Sequence, residues 1–501
     1  MATEETSLLR HRPHGPPARP PTKHVLAVIA SSWIATFLAA ADTTITATLS
    51  STIASEFDSM SLISWLGTAY LIGLTIIQPL SGKLSDIFGR RTSFVFTACM
   101  FTIGNLLCGI ARSKGLLIAA RVVAGIGGGG CISISTFIIS DNVPLKARGS
   151  WQGVASLVFT SGVGAGGVIG GVVSDLVGWR WAFLGIAPVA MVSCVLVAAL
   201  VPAYRTDNNE GMRARLARVD FAGSCTLIAS LALLLVGLNE GKGEGGTSTS
   251  TLRHTIPLSI LFFALFLLIE HRWAREPIIP LSLFRRRTVT ATCLTAYFFS
   301  GALYILLYYV PLYMQTTLAH SSSETGLRII AYSIGSAIAS LFIGTAMRVT
   351  DNKHSLLFIH ITQLCMVIAA AGFTQVGVGT HWIVPEIYLF IQGVAVGGGL
   401  TTLVVALLHA VPHGMHATAT AAFYAFRSVG STVGLAGAGA VFHALIRPDN
   451  SDNEGSRVDG GEYLDALHGA FWTATGCAGA GLVCGFMISS SRTVNNGDEE
   501  E

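Results

Sequence analysis

Apolar residues follow one another in long runs over most of the chain, and short polar segments separate these runs. Because about 20 mostly apolar residues span the hydrocarbon core of a bilayer, the pattern predicts an all-α polytopic membrane protein. We predict fourteen transmembrane helices, at 25–52, 61–81, 92–111, 115–140, 150–173, 180–202, 219–239, 254–270, 289–316, 326–347, 355–376, 382–411, 415–446 and 463–488. An even number of spans places both termini on the same side of the membrane.

Basic residues indicate which side that is. If the N-terminus is cytosolic, the inner loops hold 16 Lys and Arg residues, and the outer loops, counted with the outer helix ends at Arg180 and Arg328, hold 8. This excess follows the positive-inside rule, so we expect both termini in the cytosol. The net charge is only +3, and no basic run alternates with aromatic residues, which argues against nucleic acid as a partner.

The chain also repeats itself at a distance of 268 residues. Gly162 and Gly166 match Gly430 and Gly434 in this way, and the glycine-rich segment 124–130 matches 392–399. We interpret the repeat as an internal duplication, which is typical of pseudo-symmetric transporters. The alternative is the general abundance of glycine in membrane helices.

The duplication predicts five parts. These are a disordered cytosolic tail at 1–23, a six-helix bundle at 24–203, a linker at 204–287, a second six-helix bundle at 288–490 and an acidic cytosolic tail at 491–501. The linker carries two extra spans and a basic cytosolic segment.

Charged and aromatic side chains inside the spans are the candidate binding residues. Asp42 lies in a run that carries no other charge, and a carboxylate in hydrocarbon costs at least about 2.5–3.5 kcal/mol, which usually marks a pathway. Arg121 must face a cavity or a carboxylate, unless it snorkels at a helix end. Asp42 can instead cap a helix break or form a structural bridge with Arg121. Glu386 is a second acidic candidate, close to the membrane boundary, and Tyr304 and Tyr308 offer an aromatic surface or pack in the core.

Two glycine-containing patterns are candidates for conformational gating. The loop "GKLSDIFGRR" (82–91) combines a tight turn at Gly82 and Gly89 with the charges of Asp86, Arg90 and Arg91. These charges would form a network that breaks and re-forms as two halves rock. The alternative is an ordinary cytosolic loop.

The second pattern is "GVGAGGVIGG" (162–171) in the fifth span. Gly162, Gly166 and Gly170 fall on one helical face, where they allow close packing against another helix.

The loop at 82–91 resembles the G-x-L-a-D-r-x-G-r-r signature of the major facilitator superfamily. "RVVAGIGGGG" (121–130) is similar to its fourth-helix signature, whose arginine is Arg121 here and is tied to proton movement. The fifth span is similar to the antiporter signature G-x-x-x-G-P-x-x-G-G, with Gly167 at the proline position. Without proline, a bend would rest on glycine alone.

"ADTTITATL" (41–49), "GWRWAF" (178–183), "REPIIPLSLF" (275–284), "YYVPLYMQ" (308–315) and "FRSVGSTVG" (426–434) resemble the fourteen-span, drug:proton antiporter-2 branch. Within it, the segments 141–153 and 316–335 are most similar to fungal vacuolar basic amino acid transporters. The resemblance implies a proton-coupled transporter that moves lysine, arginine and histidine into the vacuole by alternating access. Asp42 would then bind a proton or a cationic side chain, and Arg121 a carboxylate. A plasma-membrane exporter of cationic drugs or toxins is the alternative, and a non-transporting nutrient sensor is a third.

The N-terminal tail bears on the compartment. Glu4, Leu8 and Leu9 in "EETSLL" fit the acidic dileucine pattern that adaptor complexes read when they sort cargo to vacuole-like compartments. We expect no enzyme activity, no cofactor and no metal site, because the sequence carries no nucleophile signature, no metal-ligand cluster and no nucleotide-binding loop.

Overall fold

Regular structure in the part of the chain that the computed structural model describes is entirely helical. That part comprises residues 23–59, 61–143, 145–201, 220–240, 248–272, 281–350, 354–412, 415–445 and 460–488. The α-helices in it are α1 (Lys23–Glu56), α2 (Ser61–Phe88), α3 (Arg90–Ile110), α4 (Lys114–Asn142), α5 (Leu145–Val177), α6 (Trp179–Leu200), α7 (Phe221–Glu240), α8 (Ser248–Arg272), α9 (Arg287–Thr316), α10 (Ser322–Arg328), α11 (Ile330–Val349), α12 (Ser355–Phe373), α13 (Ile383–His409), α14 (His416–Leu445) and α15 (Gly460–Phe486). A 3₁₀ helix, Leu281–Arg285, precedes α9.

Ten stretches of these helices are long and apolar enough to cross a membrane by length and composition, with α10 and α11 together forming one of them. Helices α2, α7, α14 and α15 occupy the positions of the four other predicted spans. Every predicted span therefore coincides with a helix. That all fourteen cross the bilayer, and that both termini are cytosolic, remain predictions.

Two glycines make the sharpest junctions between consecutive helices. Gly89 (φ 87°) joins α2 to α3, and Gly178 (φ 96°) joins α5 to α6. A positive φ is strained for any residue with a Cβ atom, so glycine allows each helix to reverse direction without a longer loop. We call the membrane face at which α1 begins the near face, and the opposite one the far face.

Helices α1–α6 form the first half and α9–α15, with their repeated glycines, the second. A Cβ atom on Gly125 would lie 2.0 Å from the carbonyl oxygen of Tyr70, and one on Gly393 would lie 2.0 Å from that of Tyr332. In the same way Gly162 meets the carbonyl oxygen of Phe37, and Gly430 that of Tyr297. Glycines that match in sequence thus make matching helix contacts in the two halves.

Helix α5 uses two glycine faces. Gly162, Gly166 and Gly170 pack closely against α1, as the four-residue spacing predicts. Gly167 and Gly171 lie on another face of α5, within van der Waals distance of the segment around α10 in the second half. The residue at the antiporter proline position therefore sits at the seam between the halves.

The halves also meet at the far face through polar side chains. Ser51 Oγ at the end of α1 donates to Gln315 Oε1 of α9 (2.7 Å), and Gln315 Nε2 donates to the carbonyl oxygen of Thr48 (3.2 Å). Ser323 Oγ donates to the carboxylate of Asp175 at the end of α5. Together with the contacts of Gly167 and Gly171 with the segment around α10, which we call the glycine seam, these hydrogen bonds hold the far ends of the two halves together.

The α7–α8 hairpin lies outside this two-half arrangement. Its buried residues Leu227, Leu231 and Phe266 pack against Leu80 of α2 and Val429 of α14. The hairpin therefore bridges one helix of each half. Within the predicted linker (204–287), the segments 204–219, 241–247 and 273–280 lie outside the described residues.

A candidate substrate cavity and a buried ion pair

A cavity lies between the two halves of the protein. Helices α1, α4 and α5 line it from the first half, and α13 and α14 from the second. Its space not occupied by atoms, including its opening to solvent, is about 440 Å³. Because this figure includes the opening to solvent, it is an upper bound on the space inside the cavity.

The lining mixes polar and apolar side chains in both halves. Thr36, Ser135, Gln152 and Ser156 contribute hydroxyl and amide groups from the first half, next to apolar side chains of the same helices, whereas α13 contributes aliphatic side chains. Ile139 lies three residues before the end of α4 at the near face. The cavity is therefore placed toward the near face of the protein.

Arg427 of α14 is the charged side chain of this lining. It is 9% exposed, and its guanidinium carbon lies 5.4 Å from the ring centroid of Phe159 and 5.7 Å from that of Tyr424. Among the described residues, no carboxylate lies within ion-pair distance of it. Arg427 also borders a smaller adjoining cavity, to which Gln78 and Tyr304 contribute.

Hydrogen bonds cross from one half to the other around the two cavities. Thr136 and Tyr424 pair through their hydroxyl groups (3.1 Å), and Thr401 donates to Ser156 (3.3 Å). Ser428 donates to the side-chain oxygen of Gln78. Each bond joins one side chain from each half, so each can break without unfolding a helix.

Asp42 and Arg121 form a buried ion pair within the first half. Arg121 Nη1 donates to Asp42 Oδ2 at 2.7 Å, and both side chains are 0% exposed. The ring centroids of Tyr70 and Phe183 lie 4.5 Å and 5.7 Å from the guanidinium carbon. Arg121 Nε also donates to the carbonyl oxygen of Leu66 (3.4 Å). The pair thus links α1, α2 and α4.

The hydrogen bonding of the pair is incomplete. Asp42 Oδ1 and Arg121 Nη2 find no hydrogen-bond partner among the described residues, and neither does the hydroxyl group of Tyr308. A buried polar atom without a partner usually costs about 1–3 kcal/mol, and more when it is charged. The ion pair is therefore held together under a substantial desolvation cost.

The pair lies apart from the cavity, toward the far face. Asp42 is six residues beyond Thr36 in α1, a rise of about 9 Å along a helix. Arg121 lies eleven residues before Ile132 in α4, a rise of about 16 Å. The sequence suggested that each residue could bind substrate, but in this structure they bind each other and neither lines the cavity.

The other three candidate binding residues lie in three different places. Glu386 Oε1 accepts from Arg328 Nη1 at 2.7 Å near the start of α13, at the far face and outside the cavity. Tyr304 borders the smaller cavity, whereas Tyr308 is buried with its ring against Gly67 of α2. Of these three, only Tyr304 reaches a described cavity.

The sequence predicts a loop at 82–91 with a tight turn at Gly82 and Gly89, but in the structure Gly82 lies within α2 and only Gly89 separates α2 from α3. The charged side chains of this near-face segment gather around Arg90. Its guanidinium group pairs with Asp86 (2.7 Å) and with Asp141 at the end of α4 (2.9 Å). It also donates to Ser85 Oγ, which in turn donates to the carbonyl oxygen of Gly82 (2.9 Å). Arg90 therefore ties the α2–α3 turn to α4. Arg91, the neighbouring arginine, is partly exposed.

Two results complete the placement of the sequence candidates. Glu4, Leu8 and Leu9 lie outside the described residues. Arg427 was not a candidate, although the sequence carried a signal for it: it lies well inside a predicted span (415–446), in "FRSVGSTVG". What the sequence did not provide was the direction in which α14 presents this side chain.

Residues 32–435 match the family model described as the Major Facilitator Superfamily. The chain belongs to the major facilitator superfamily. It is therefore a multi-pass membrane transporter for small molecules and not an enzyme.

Curated relatives fall into two groups by name. The multidrug resistance protein fnx1 of Schizosaccharomyces pombe is 36% identical over 87% of this chain and 82% of its own length. The vacuolar membrane amino acid uptake transporter fnx2 of the same organism is 31% identical, over 85% and 73%. The vacuolar basic amino acid transporter 2 of Saccharomyces cerevisiae is 32% identical, over 75% and 81%.

Solved structures confirm the fold. The proton:xylose symporter XylE superposes with a TM-score of 0.62 at 14% identity, covering 93% of this chain and 95% of that one. The human organic anion transporter MFSD10 gives a TM-score of 0.61 at 16% identity, covering 94% and 100%. At these identities the likeness concerns the fold alone.

Proposed function

We propose that the protein is a proton-coupled secondary transporter that moves the basic amino acids lysine, arginine and histidine from the cytosol into the vacuole by alternating access. The observation that carries this proposal is a cavity lined by both halves of the chain, in a member of the superfamily whose relatives include two vacuolar amino acid transporters. Substrate would occupy that cavity, with lipid around the helices.

Alternating access requires contacts that can break at one face while others form at the opposite face. The far-face contacts between Ser51 and Gln315, and between Asp175 and Ser323, are single hydrogen bonds between side chains of the two halves. In the proposed cycle they open to release substrate into the vacuole. The Arg90 cluster at the near face rearranges in the same step.

Proton coupling is assigned to Asp42. Protonation of this carboxylate removes the negative charge that holds Arg121, and a buried guanidinium group cannot lose its own proton. The cost of an unpaired buried cation then favours a different arrangement of α1 and α4, the two helices that also line the cavity. A proton taken up on one side and released on the other would thereby drive the exchange.

The vacuolar location rests on the relatives' names and on the N-terminal tail. Glu4, Leu8 and Leu9 form the proposed sorting signal, which an adaptor complex would bind in the cytosol. Replacing Leu8 and Leu9 by alanine should then move the protein from the vacuole to the cell surface. Unchanged vacuolar location would remove the tail from the account.

A second candidate is a plasma-membrane exporter of cationic or amphipathic drugs. Two observations favour it: the 36% identity to the multidrug resistance protein fnx1, and the relationship to the efflux pump FUS6 of Gibberella fujikuroi at 31% identity. The cavity lining includes Trp33, Phe159 and Tyr424, and such rings accommodate an aromatic drug as well as an ammonium group.

The test is uptake of labelled lysine, arginine and histidine into sealed vacuolar vesicles, with and without a protonophore. The proposal predicts accumulation of at least one of the three, abolished by the protonophore. If well-expressed protein in vacuolar vesicles takes up none of them, the amino acid assignment is wrong and efflux of cationic dyes from whole cells becomes the next assay.

A further inference from the structure

We propose that Arg427 binds a carboxylate group of the transported molecule, so that the cavity selects substrates that carry an acid group. The inference deepens the proposed function, because it assumes that the cavity between the halves is the transport site. It names a binding residue and a chemical class that the relatives' names leave open, since those names cover both amino acids and drugs.

Arg427 carries a charge at the wall of the cavity. Its side chain is 9% exposed, and a guanidinium group with little access to water is costly unless an anion or a set of acceptors compensates it. Within the described ranges, no carboxylate forms an ion pair with Arg427 and no side-chain or backbone acceptor is hydrogen-bonded to it. The nearby rings of Phe159 and Tyr424 supply only cation–π attraction.

Arg427 lies at the boundary between the two halves. Arg427 borders both the larger and the smaller cavity, on α14 of the second half. Its contact with Phe159 of α5 crosses to the first half. A ligand in the cavity would therefore meet the guanidinium group where the two halves face each other. The five N–H donors of arginine suit a carboxylate, which accepts two of them in parallel.

Among the described residues, the remaining lining of the two cavities is uncharged. No Asp or Glu lines either cavity within the described part of the chain, and the carboxylate of Asp42 is engaged by Arg121. The cavity therefore attracts an anionic group electrostatically and offers an ammonium group hydroxyl, amide and aromatic contacts only. An amino acid fits this pattern through its carboxylate. A cationic drug without an acid group meets an uncompensated positive charge.

The experiment compares ligands that differ by the carboxylate alone. The full-length purified protein is heated in detergent with lysine or cadaverine, and with leucine or isopentylamine, and the concentration giving half of the maximal thermal stabilisation is measured. Each amine is the decarboxylated form of its amino acid. One charge-assisted hydrogen-bonded pair corresponds to about tenfold or more in affinity, so each amino acid should act at a concentration about tenfold lower than its amine.

Variants assign this preference to Arg427. Arg427→Gln should abolish the tenfold preference, and Arg427→Lys, which keeps the charge but loses the bidentate geometry, should retain part of it. If the glutamine variant does not fold, a reduced preference in the lysine variant provides the same test. Arg253→Gln is the matched control, because Arg253 is exposed on α8 and lines neither cavity.

The outcomes separate this inference from the proposed function. If the wild-type protein shows no preference for either amino acid over its amine, or if both Arg427 variants keep the full preference, the inference is overturned. If leucine is preferred over isopentylamine through Arg427 but no basic amino acid accumulates in vesicles, the carboxylate site stands and the basic amino acid assignment falls.

Discussion

Asp42 Oδ2 and Arg121 Nη1 lie 2.7 Å apart in a pair that is fully removed from solvent, and the second half of the protein has no such pair at the matching positions. In the first half, Gly166 contacts Ala41, the residue before Asp42. In the second half, the matching Gly434 contacts Gly301, the residue before Ala302. Asp42 and Ala302 therefore occupy matching positions. Arg121 lies four residues before Gly125, and Leu389 lies four residues before the matching Gly393, so Arg121 and Leu389 also occupy matching positions. Ala302 and Leu389 are both buried. The same helix arrangement thus forms around hydrocarbon in one half and around two charges in the other.

A double-mutant cycle tests whether the ion pair serves stability or transport. Asp42→Ala leaves a buried cation, so we expect it to lower the free energy of unfolding by about 3–5 kcal/mol. The double variant Asp42→Ala/Arg121→Leu copies the second half and should recover most of that loss, because replacing a buried pair by apolar residues is often neutral. Reversible unfolding in mixed micelles measures the stability, and vesicle uptake measures transport.

The two readouts should diverge in the double variant. We expect recovered stability without proton-dependent transport. Recovered stability together with full transport would show that neither charge is needed for the transport cycle. A double variant as unstable as Asp42→Ala would mean that the two halves are not equivalent at these positions.

Matched glycines should tolerate substitution equally poorly in the two halves. A Cβ atom on Gly125 or Gly393 would lie 2.0 Å from a backbone carbonyl oxygen, and backbone cannot move aside cheaply. Each alanine substitution should therefore cost about 1–3 kcal/mol, the range for overpacking. Gly185→Ala in α6 is the control: nothing lies within 4 Å of its Cβ position, and it should raise stability by about 0.5–1 kcal/mol. A neutral Gly393→Ala would refute the equivalence.

The glycine seam predicts a conformational shift rather than unfolding. A Cβ atom on Gly326 would lie 2.3 Å from the carbonyl oxygen of Gly167, across the boundary between the halves. Gly326→Ala should therefore disfavour the closed far face by about 1–3 kcal/mol, which corresponds to roughly 5- to 150-fold in its equilibrium constant. Crosslinking between cysteines placed at Ser51 and Gln315, in a background without native cysteines, measures this closure. An unchanged yield would contradict the proposed role of the seam.

Arg90 should contribute more to transport than either of its acidic partners. Arg90→Ala removes ion pairs to both Asp86 and Asp141, whereas Asp86→Asn leaves the pair with Asp141 in place. We therefore expect a larger loss of uptake for Arg90→Ala than for either aspartate variant, at equal expression, and Arg253→Gln should leave uptake unchanged. Equal losses in all three loop variants would indicate that the cluster acts only as a unit.

The helical pattern could be predicted from the sequence because it is a local property. Every predicted span coincides with a helix, and the spacing of Gly162, Gly166 and Gly170 predicted the face of α5 that packs on α1. A glycine allows a neighbouring helix to approach closely whatever residue that helix presents. The repeated glycines therefore also predict close helix contacts in the second half. The positive-φ turn at Gly89 follows from the same logic.

The pairing of side chains could not be predicted in this way. Asp42 and Arg121 are 79 residues apart, and the sequence does not state whether two buried charges face each other or a ligand. Glu386 was a binding candidate, but it pairs with Arg328 at the far face. Arg427 lines the cavity because of how α14 is rotated against α5. Helix rotation and crossing depend on packing between distant segments, which residue spacing does not encode.

The most direct test of the central claim uses Asp42→Asn in sealed vacuolar vesicles, with Asp465→Asn, exposed on α15, as the control. Two fluxes of labelled lysine are compared: accumulation driven by the proton gradient, and exchange at equal concentrations without a gradient. The account predicts that Asp42→Asn loses accumulation while it keeps exchange, because the cavity remains but the proton carrier is gone. Full gradient-driven accumulation by Asp42→Asn would contradict the claim that Asp42 couples protons to transport.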